Sequence, residues 1–463
     1  MKLITLSLLV ALVLAGCATV PPIDPSTLPA VPASFKEGDG RWTVAAPAEA
    51  QPRGAWWKAF SDPVLEDLVA RADRANTSIQ LAAARLAQAR AFVRSTEADR
   101  SVQVGVGANA ARLQGIVSNT SGPARSIFGA GADLSYEVDL FGRLARTTDA
   151  AVLDAQAREG LLQSARLLVQ ADVAQIYLAL RALDVERQLV RSTVAAYRET
   201  LLLTERRYRA GDVAELDVAR ARTEVAATES EAIALDRRRA ELEHALALLI
   251  GEAASSFEVG TSPWNTALPV IPAGVPSTVL SRRPDVAAAQ STMYAAQMRV
   301  GVAQAAWFPS VALTATGGFA SPELSDLLTW SARAWGVGAL LSLPLIDGGR
   351  REAGVQNARA ELDAALARYR EQVLVAFKDV EDQLSALRLL AAQAEAQSRA
   401  VASASRATAL SSTRYRNGLV SQLELLDAQR SELRNRREAL QVRSAQYQAT
   451  VGLVRALGGG WGS

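Results

Sequence analysis

The chain of 463 residues holds a single cysteine, Cys17, and a single histidine, His244. That scarcity excludes a Cys/His zinc site, a disulfide framework and a Cys-x-x-Cys redox pair. A serine or thiol triad would have to take its base from His244, which sits between Glu243 and Ala245 in an apolar helical stretch and reads as a packing or surface residue. Net charge is also missing: 50 Lys+Arg stand against 48 Asp+Glu, so no basic field exists for nucleic acid. Aromatics make up only 5% of the chain, which is otherwise rich in Ala, Arg and Leu and favours long helices over a compact enzyme core. Gly105-x-Gly107-x-x-Ala110 mimics a dinucleotide fingerprint, but the glycines lie inside an alternating run and no helix opens behind them. The apolar run Leu3 to Val13 is too short to span a bilayer as a mature helix.

That run follows Lys2 and fits the h-region of a secretory signal, which makes residues 1–16 a signal peptide and the protein an exported one. Leu14-Ala15-Gly16-Cys17 resembles the bacterial lipoprotein cleavage box, in which the cysteine becomes the lipidated first residue of the mature protein. In such lipoproteins an Asp after the Cys favours retention in the inner membrane; Ala18 holds that place here and implies the outer membrane. An acyl chain contributes about 0.8 kcal/mol per buried methylene, enough to tether and not to span. Residues 17–55 read as the lipid anchor and an extended tether, with prolines at 21, 22, 25, 29, 32, 47 and 52.

The sequence repeats at an offset of 207 residues. Gly142-Arg143 falls on Gly349-Arg350, Ala179-Leu180-Arg181 on Ala386-Leu387-Arg388, Tyr208-Arg209-Ala210-Gly211 on Tyr415-Arg416-Asn417-Gly418, and Gly251 on Gly458. A period this long is one duplication and not a solenoid unit. The copies span residues 56–251 and 283–458, joined by a proline-bearing connector over 252–282 and followed by a short tail, 459–463.

Each copy contains a block with the period of a strand. In the first, over 101–141, Phe128, Ala130, Ala132, Leu134, Tyr136, Val138 and Leu140 alternate with polar or small residues that include Asp133, Glu137 and Asp139. Val102, Val104, Val106 and Ala108 form its partner. The second copy repeats the hairpin over 310–345, with Val311, Leu313, Ala315 and Phe319, then Trp335, Val337, Ala339, Leu341 and Leu343. Because the offset is odd, apolar positions move from even to odd numbers and the facing is preserved. Runs of about 9 to 13 residues suit tilted membrane-crossing strands; a four-stranded sheet packed on a helix in water is the alternative. Four strands cannot close a barrel, and open edges cannot sit in lipid, so strands that span require an oligomer.

Proline is absent from Leu144 to Ile250 and from Arg351 to Leu457. With turns at Gly211 and Gly418, each copy then holds an unbroken helix of about 66 residues, roughly 100 Å long. Leu162, Val169, Ile176, Leu183, Val190 and Tyr197 recur every seven residues, with the companions Val173, Leu180, Val194, Leu201 and Tyr208, a coiled-coil seam interrupted by Arg166 and Arg187. The remaining positions are too rich in Arg, Glu, Asp and Gln for a transmembrane helix.

This arrangement resembles the TolC-type outer-membrane efflux channels, and more closely the lipoprotein branch serving resistance-nodulation-division (RND) pumps. The resemblance runs from about Trp56 to Leu457 and is carried by Trp57, Phe60, Asp62, Pro63, Leu65, Leu68 and Asn76; by Arg282-Arg283-Pro284-Asp285-Val286; by the paired Tyr-Arg-x-Gly turns; and by Leu423 with Leu425-Leu426-Asp427-Ala428-Gln429-Arg430. It implies a mostly α protein with a transmembrane β-barrel: a homotrimer in which four strands per chain make one 12-stranded barrel, continued by a coiled-coil α-barrel through the periplasm. The implied role is the exit duct of a tripartite efflux system for small molecules, partnered by a periplasmic adaptor and an inner-membrane RND transporter, spanning and lipid-anchored in the outer membrane. Such a duct takes no cofactor and catalyses nothing. A type I secretion duct and a non-conducting coiled-coil lipoprotein are the competing readings.

Carried over, the tip turns are Tyr208, Gly211, Tyr415 and Gly418, and the periplasmic gate is Leu423, Glu424 and Asp427, with Arg430 one turn further on. Three copies of Glu424 and Asp427 would form carboxylate rings whose repulsion and cation affinity tune opening; without the resemblance, acids so spaced mark a solvated face. The first copy has Asp217 and Arg220 at the matched positions and lacks the second acid. The tyrosines either hydrogen-bond across neighbouring helices or pack beside the turns. Asp133, Glu137 and Asp139 would line the barrel lumen. Replacing Cys17 by Ser is expected to remove the lipid and leave trimer assembly intact; mass spectrometry of the mature terminus together with native gel mobility checks both halves.

Overall fold

A computed structural model describes residues 22–24, 26, 28–30, 32, 35–37, 54–114, 124–269 and 282–459. Cys17, the signal segment, much of the tether, residues 270–281 of the connector and the end of the tail lie outside these residues. Among the described residues the α-helices are α1 (Pro63–Ala75), α2 (Thr77–Ala98), α3 (Arg143–Arg209), α4 (Glu215–Leu249), α5 (Pro284–Ala305), α6 (Arg350–Arg416) and α7 (Gln422–Ala456). The strands are β1 (Gln103–Leu113), β2 (Arg125–Val138), β3 (Ser310–Ser321) and β4 (Arg333–Ser342). No described helix is long and apolar enough to cross a membrane.

The duplication is visible in the element boundaries. Helices α3 and α6 are both 67 residues long, α4 and α7 both 35, and α2 and α5 both 22. At 1.5 Å per residue the long pair measure about 100 Å each. Both end the same way. Gly211 (φ 84°) and Gly418 (φ 69°) take the left-handed conformation, and the amides of Asp212 and Leu419 donate back to the carbonyls of Arg207 and Arg414 at 2.9 and 2.8 Å. This Schellman closure satisfies last-turn carbonyls that would otherwise have no partner.

Two compact units divide the chain. The first takes the described part of Met1–Pro29 with Ala84–Glu159 and Ala288–Glu371. It holds one antiparallel sheet in the order β1-β2-β3-β4. The register keeps one set of side chains on one face: Val104 pairs with Leu134, Ala132 with Gly317, Leu134 with Ala315, Tyr136 with Leu313, and Ala315 with Val337. Even positions of the first copy thus align with odd positions of the second, as an odd repeat length requires. The opposite face pairs polar residues with glycine: Asp133 with Gly105, Asn109 with Gly129, Thr316 with Gly336 and Thr314 with Gly338. A Cβ at Gly105 would lie 2.8 Å from an Asp133 carboxylate oxygen, and one at Gly129 would lie 2.4 Å from the Asn109 amide oxygen, so these side chains fold down over the glycines. The apolar face is solvent-open on the single chain, with Val106 at 87% and Trp335 at 81% exposure.

The second unit takes Ala30–Ala83, Gly160–Ala287 and Gln372–Ser463. Asp62 organises its entrance. The carboxylate caps α1 through the amides of Val64 (3.1 Å) and Leu65 (3.3 Å), and accepts from the hydroxyls of Tyr177 (2.9 Å) and Thr266 (2.8 Å). Pro63 at the first helical position and the buried Phe60, Leu65 and Leu68 complete the motif. Burial pushes the Tyr177 hydroxyl up to about 12, so it stays a donor at any working pH. Along the heptad seam of α3, Leu162, Val169, Leu183, Val190 and Tyr197 are buried, with Ile176 half-buried; of the companions, Val173, Leu180 and Val194 are buried, Leu201 is half-buried and Tyr208 exposed.

The two copies anchor their last helix by different chemistry at one position. Asn76 donates to the Leu249 carbonyl at 2.8 Å while its own side-chain oxygen caps α2 through Ser78 and Ile79. Arg283, the residue 207 later, donates to the Ala456 carbonyl at 3.2 Å and pairs with Asp285 and Asp379. The Arg-Arg-Pro-Asp run is therefore a buried helix clamp. Beside each clamp a glycine closes the helix, and a Cβ at Gly251 or Gly458 would meet the carbonyl of Ala75 or Arg282 at 2.5 or 2.7 Å. A Cβ at Gly211 or Gly418 would meet nothing within 4 Å. Alanine at Gly211 or Gly418 is expected to cost about 1 kcal/mol, and at Gly251 or Gly458 roughly 2–4 kcal/mol because backbone must move. Thermal melts followed by far-UV circular dichroism rank the four variants.

Candidate functional site

The paired turns fold alike but their surroundings differ. Tyr415 is 2% exposed and Tyr208 is 44% exposed. The Tyr415 hydroxyl lies 3.0 Å from the Thr204 hydroxyl, and Thr204 donates its one proton to the Thr200 carbonyl at 2.8 Å. Tyr415 must therefore be the donor to Thr204. Arg207 closes the same spot from α3: one terminal nitrogen donates to the Tyr415 and Arg416 carbonyls at 2.9 and 3.1 Å, and the guanidinium carbon lies 4.7 Å from the centre of the Tyr415 ring. Two α3 residues, Thr204 and Arg207, thus hold the last turn of α6, with Thr200 fixing the Thr204 hydroxyl from behind. Tyr208, on the matching turn of the first copy, takes part in no such clasp among the described residues.

Beyond Gly418, Ser421 caps α7 by accepting from the Glu424 amide at 3.3 Å, whereas Ala214 at the start of α4 offers no side-chain cap. Leu423, Glu424, Asp427 and Arg430 share the exposed side of α7, and Leu425 and Leu426 are buried on the other. The four gate candidates therefore form one stripe. Gln422 is buried with neither amide atom bonded among the described residues, so the first turn of α7 carries an unmet polar cost. In the first copy, Asp217 and Arg220 pair with each other at 3.8 Å.

Arg430 differs from its stripe-mates. Its guanidinium reaches Glu224 on α4, and this bond, with Asp427 adding attraction, raises its already high proton affinity. Seven residues on, Arg437 binds Glu231 of α4, seven beyond Glu224, and also Glu186 of α3 at 2.7 Å. Burial would lower the Arg437 guanidinium, but the two carboxylates hold it above its ordinary value. A two-rung ion ladder therefore ties α7 to α4 beside the gate stripe. Between the rungs and the turn, Tyr197, Val225 and Leu426 pack together, and burial pushes the Tyr197 hydroxyl up to about 12.

Of the barrel-lumen candidates, Asp133 sits mid-strand on the polar face and Glu137 on the same face accepts from Arg143 at 2.7 Å. Asp139 lies one residue past the end of β2, where its carboxylate caps α3 through the amides of Leu144 (3.1 Å) and Ala145 (2.7 Å). That position departs from the lumen reading, because the alternating pattern ran through the strand end into the cap without a break. The clasp and the ladder rungs between α7 and α4 are not legible in the sequence, since they pair residues more than 200 apart at separations other than the repeat offset. No cluster of three or more metal-ligating side chains occurs among the described residues.

A profile described as outer membrane efflux protein matches residues 68–252 and again 275–459, and the chain belongs to that family. It is 32% identical over 469 residues to the solvent efflux pump outer membrane protein SrpC of Pseudomonas putida, across 100% of this chain and 99% of that one. To the cation efflux system protein CusC of Escherichia coli it is 30% identical over 453 residues, across 98% and 97% of the two chains. Among solved structures the outer-membrane channel OprN aligns with a TM-score of 0.88 at 31% identity, covering 96% of this chain and 100% of that one. The fold is that of the TolC-type channels, the location is the outer membrane, and the role is that of the outer-membrane channel of an efflux system.

Replacing Tyr415 by Phe removes one hydrogen bond worth about 1 kcal/mol. The Leu419 amide, which closes the turn, is expected to exchange with deuterium about fivefold faster, and Arg207→Ala is expected to speed it further; Tyr208→Phe serves as the unclasped comparison.

Proposed function

We propose that the chain works as one third of a passive duct: three copies close a 12-stranded barrel in the outer membrane, and their long helices line a periplasmic tunnel filled by an inner-membrane RND pump through an adaptor protein. The observation that carries this reading is the sheet, whose apolar face is open along its length while β1 and β4 stand as its two margins. Strand margins in hydrocarbon must be paired, and joining β4 of each chain to β1 of the next pairs all of them. Cys17 supplies a lipid tether in addition. The duct binds no cofactor and performs no chemistry, in keeping with relatives named as channel components.

The cargo class is small molecules. Relatives at nearly equal identity are named for solvent and for cation efflux, so overall similarity does not sort cargo, which a passive bore leaves to the pump. The duplication also extends the clasp. Ser411 and Arg414 occupy the places of Thr204 and Arg207 one repeat later, and around a closed ring they would meet Tyr208 of the next chain, which accounts for its exposure on a single chain.

The gate is the exposed stripe of α7. Leu423, Glu424 and Asp427 from three chains would crowd the tip with six carboxylates, while Arg430 is committed to Glu224. Asp427→Ala combined with Glu424→Ala is expected to raise single-channel conductance in planar bilayers, and unchanged conductance removes these residues from the gate. The reading as a whole is tested on the wild type: a heat-modifiable trimer that conducts supports the duct, and a monomer without conductance favours a structural coiled-coil lipoprotein.

A further inference from the structure

The ends of the strands remote from the helices carry a charge pattern that conduction does not require. The apolar face runs through Val104, Val106, Ala108 and Ala110 on β1, through Phe319 on β3, and through Trp335, Val337 and Ala339 on β4. Two residues beyond Ala110 the same face reaches Arg112, and two residues before Trp335 it reaches Arg333. Both arginines are exposed, and both lie at the strand ends next to the β1–β2 and β3–β4 connections. Arg333 packs its guanidinium carbon 3.3 Å from the centre of the Trp330 ring and donates from Nε to the Trp330 carbonyl at 2.6 Å. Trp330 and Trp335 are themselves largely exposed.

Neither arginine forms an ion pair among the described residues. The residues joining β1 to β2, from Gln114 to Ala124, contain no Asp or Glu in their sequence; those joining β3 to β4 carry Glu323 and Asp326, neither of which pairs with Arg333 among the described residues. Arg112 and Arg333 lie on the two marginal strands, so closing the barrel brings Arg333 of one chain and Arg112 of the next to the same seam. Two guanidiniums at the rim of a hydrocarbon band repel unless an anion lies between them. A planar guanidinium grips phosphate oxygens two at a time, and exposed tryptophans at that depth mark the headgroup level of a membrane.

We infer that each seam binds a phosphate group on a glycolipid headgroup of the outer leaflet, held by Arg112 and Arg333 from adjacent chains above the Trp330 and Trp335 belt. The lipid acts as a strut between chains. The site rests on the trimeric-duct reading, because without closure the two arginines sit on opposite margins of one sheet.

The test uses the full-length purified trimer with three probes: bis-phosphorylated lipid A, the same lipid A freed of phosphate, and phosphatidylglycerol. Retention by native mass spectrometry and the temperature of trimer dissociation are the readouts. Bis-phosphorylated lipid A is expected to be retained and to raise the dissociation temperature above either other lipid. Each basic side chain near an anionic surface is worth about fivefold in affinity, so Arg112→Gln with Arg333→Gln is expected to weaken retention about 25-fold. Arg125 lies at the same end but on the polar face, paired with Leu113, and Arg125→Gln is expected to leave retention unchanged. Equal behaviour of phosphorylated and dephosphorylated lipid on the wild type, equal retention of phosphatidylglycerol, or an equal loss with Arg125→Gln would each overturn the site. Conductance of the same wild-type preparation separates the layers: a conducting trimer indifferent to the phosphate sinks this site alone, and a protein that neither trimerises nor conducts sinks the duct with it.

Discussion

The backbone of a strand at the margin of a sheet carries amides and carbonyls that hydrocarbon cannot satisfy, at several kcal/mol per unmet group. Every other feature of this chain accommodates that fact. Four strands with one apolar face are too few to wrap, so in the proposed duct the margins of β1 and β4 are where one chain joins the next. The glycines opposite Asp133, Asn109, Thr314 and Thr316 serve the same end from the other face. They let polar side chains lie flat across the sheet, which in the proposed duct would keep the bore open.

The duplication with an odd period explains how one gene product supplies two hairpins that agree on which way is out. Had the offset been even, matched apolar positions would keep their parity, and the pairing of β2 with β3, which α3, α4 and α5 separate along the chain, would have to shift by one residue to face them alike. The repeat also shows which positions are architectural. Gly211 and Gly418, Gly251 and Gly458, and the ends of all three helix pairs are held in step. Asn76 and Arg283 perform one task, anchoring the last carbonyls of a helix, with unlike side chains.

Much of this was legible in the amino-acid order because it rests on local, periodic signals. Proline-free stretches mark the long helices nearly to the residue, alternation marks the strands, and the resemblance points to the family. What escaped depends on tertiary pairing. Asp139 continued a strand-like alternation, yet the amides of Leu144 and Ala145 claim it as a cap. Tyr208 and Tyr415 are indistinguishable by motif, and only Thr204 and Arg207 reaching across to one of them separates buried from exposed. Arg430 shares the exposed stripe with Asp427, and only the tertiary placement of Glu224 beside it sets the two apart.

That last pairing bears on how the helices keep register. A helix with water on much of its surface gains little from apolar burial beyond its seam, and exposed ion pairs contribute only about 0–1 kcal/mol each. The rungs from Arg430 to Glu224 and from Arg437 to Glu231 therefore matter less for stability than for phase, since a one-residue slip would break both together. Near the turn the seam itself weakens: Leu201 is half-buried, and neither the buried Gln422 amide nor the Tyr197 hydroxyl has a hydrogen-bond partner among the described residues. A tip clasped by a few directional bonds and loosely packed beneath them can yield locally while the ladder above it holds. In the proposed duct, opening by that route would need no disruption of the sheet, so membrane sealing and gating could be built from the same repeat.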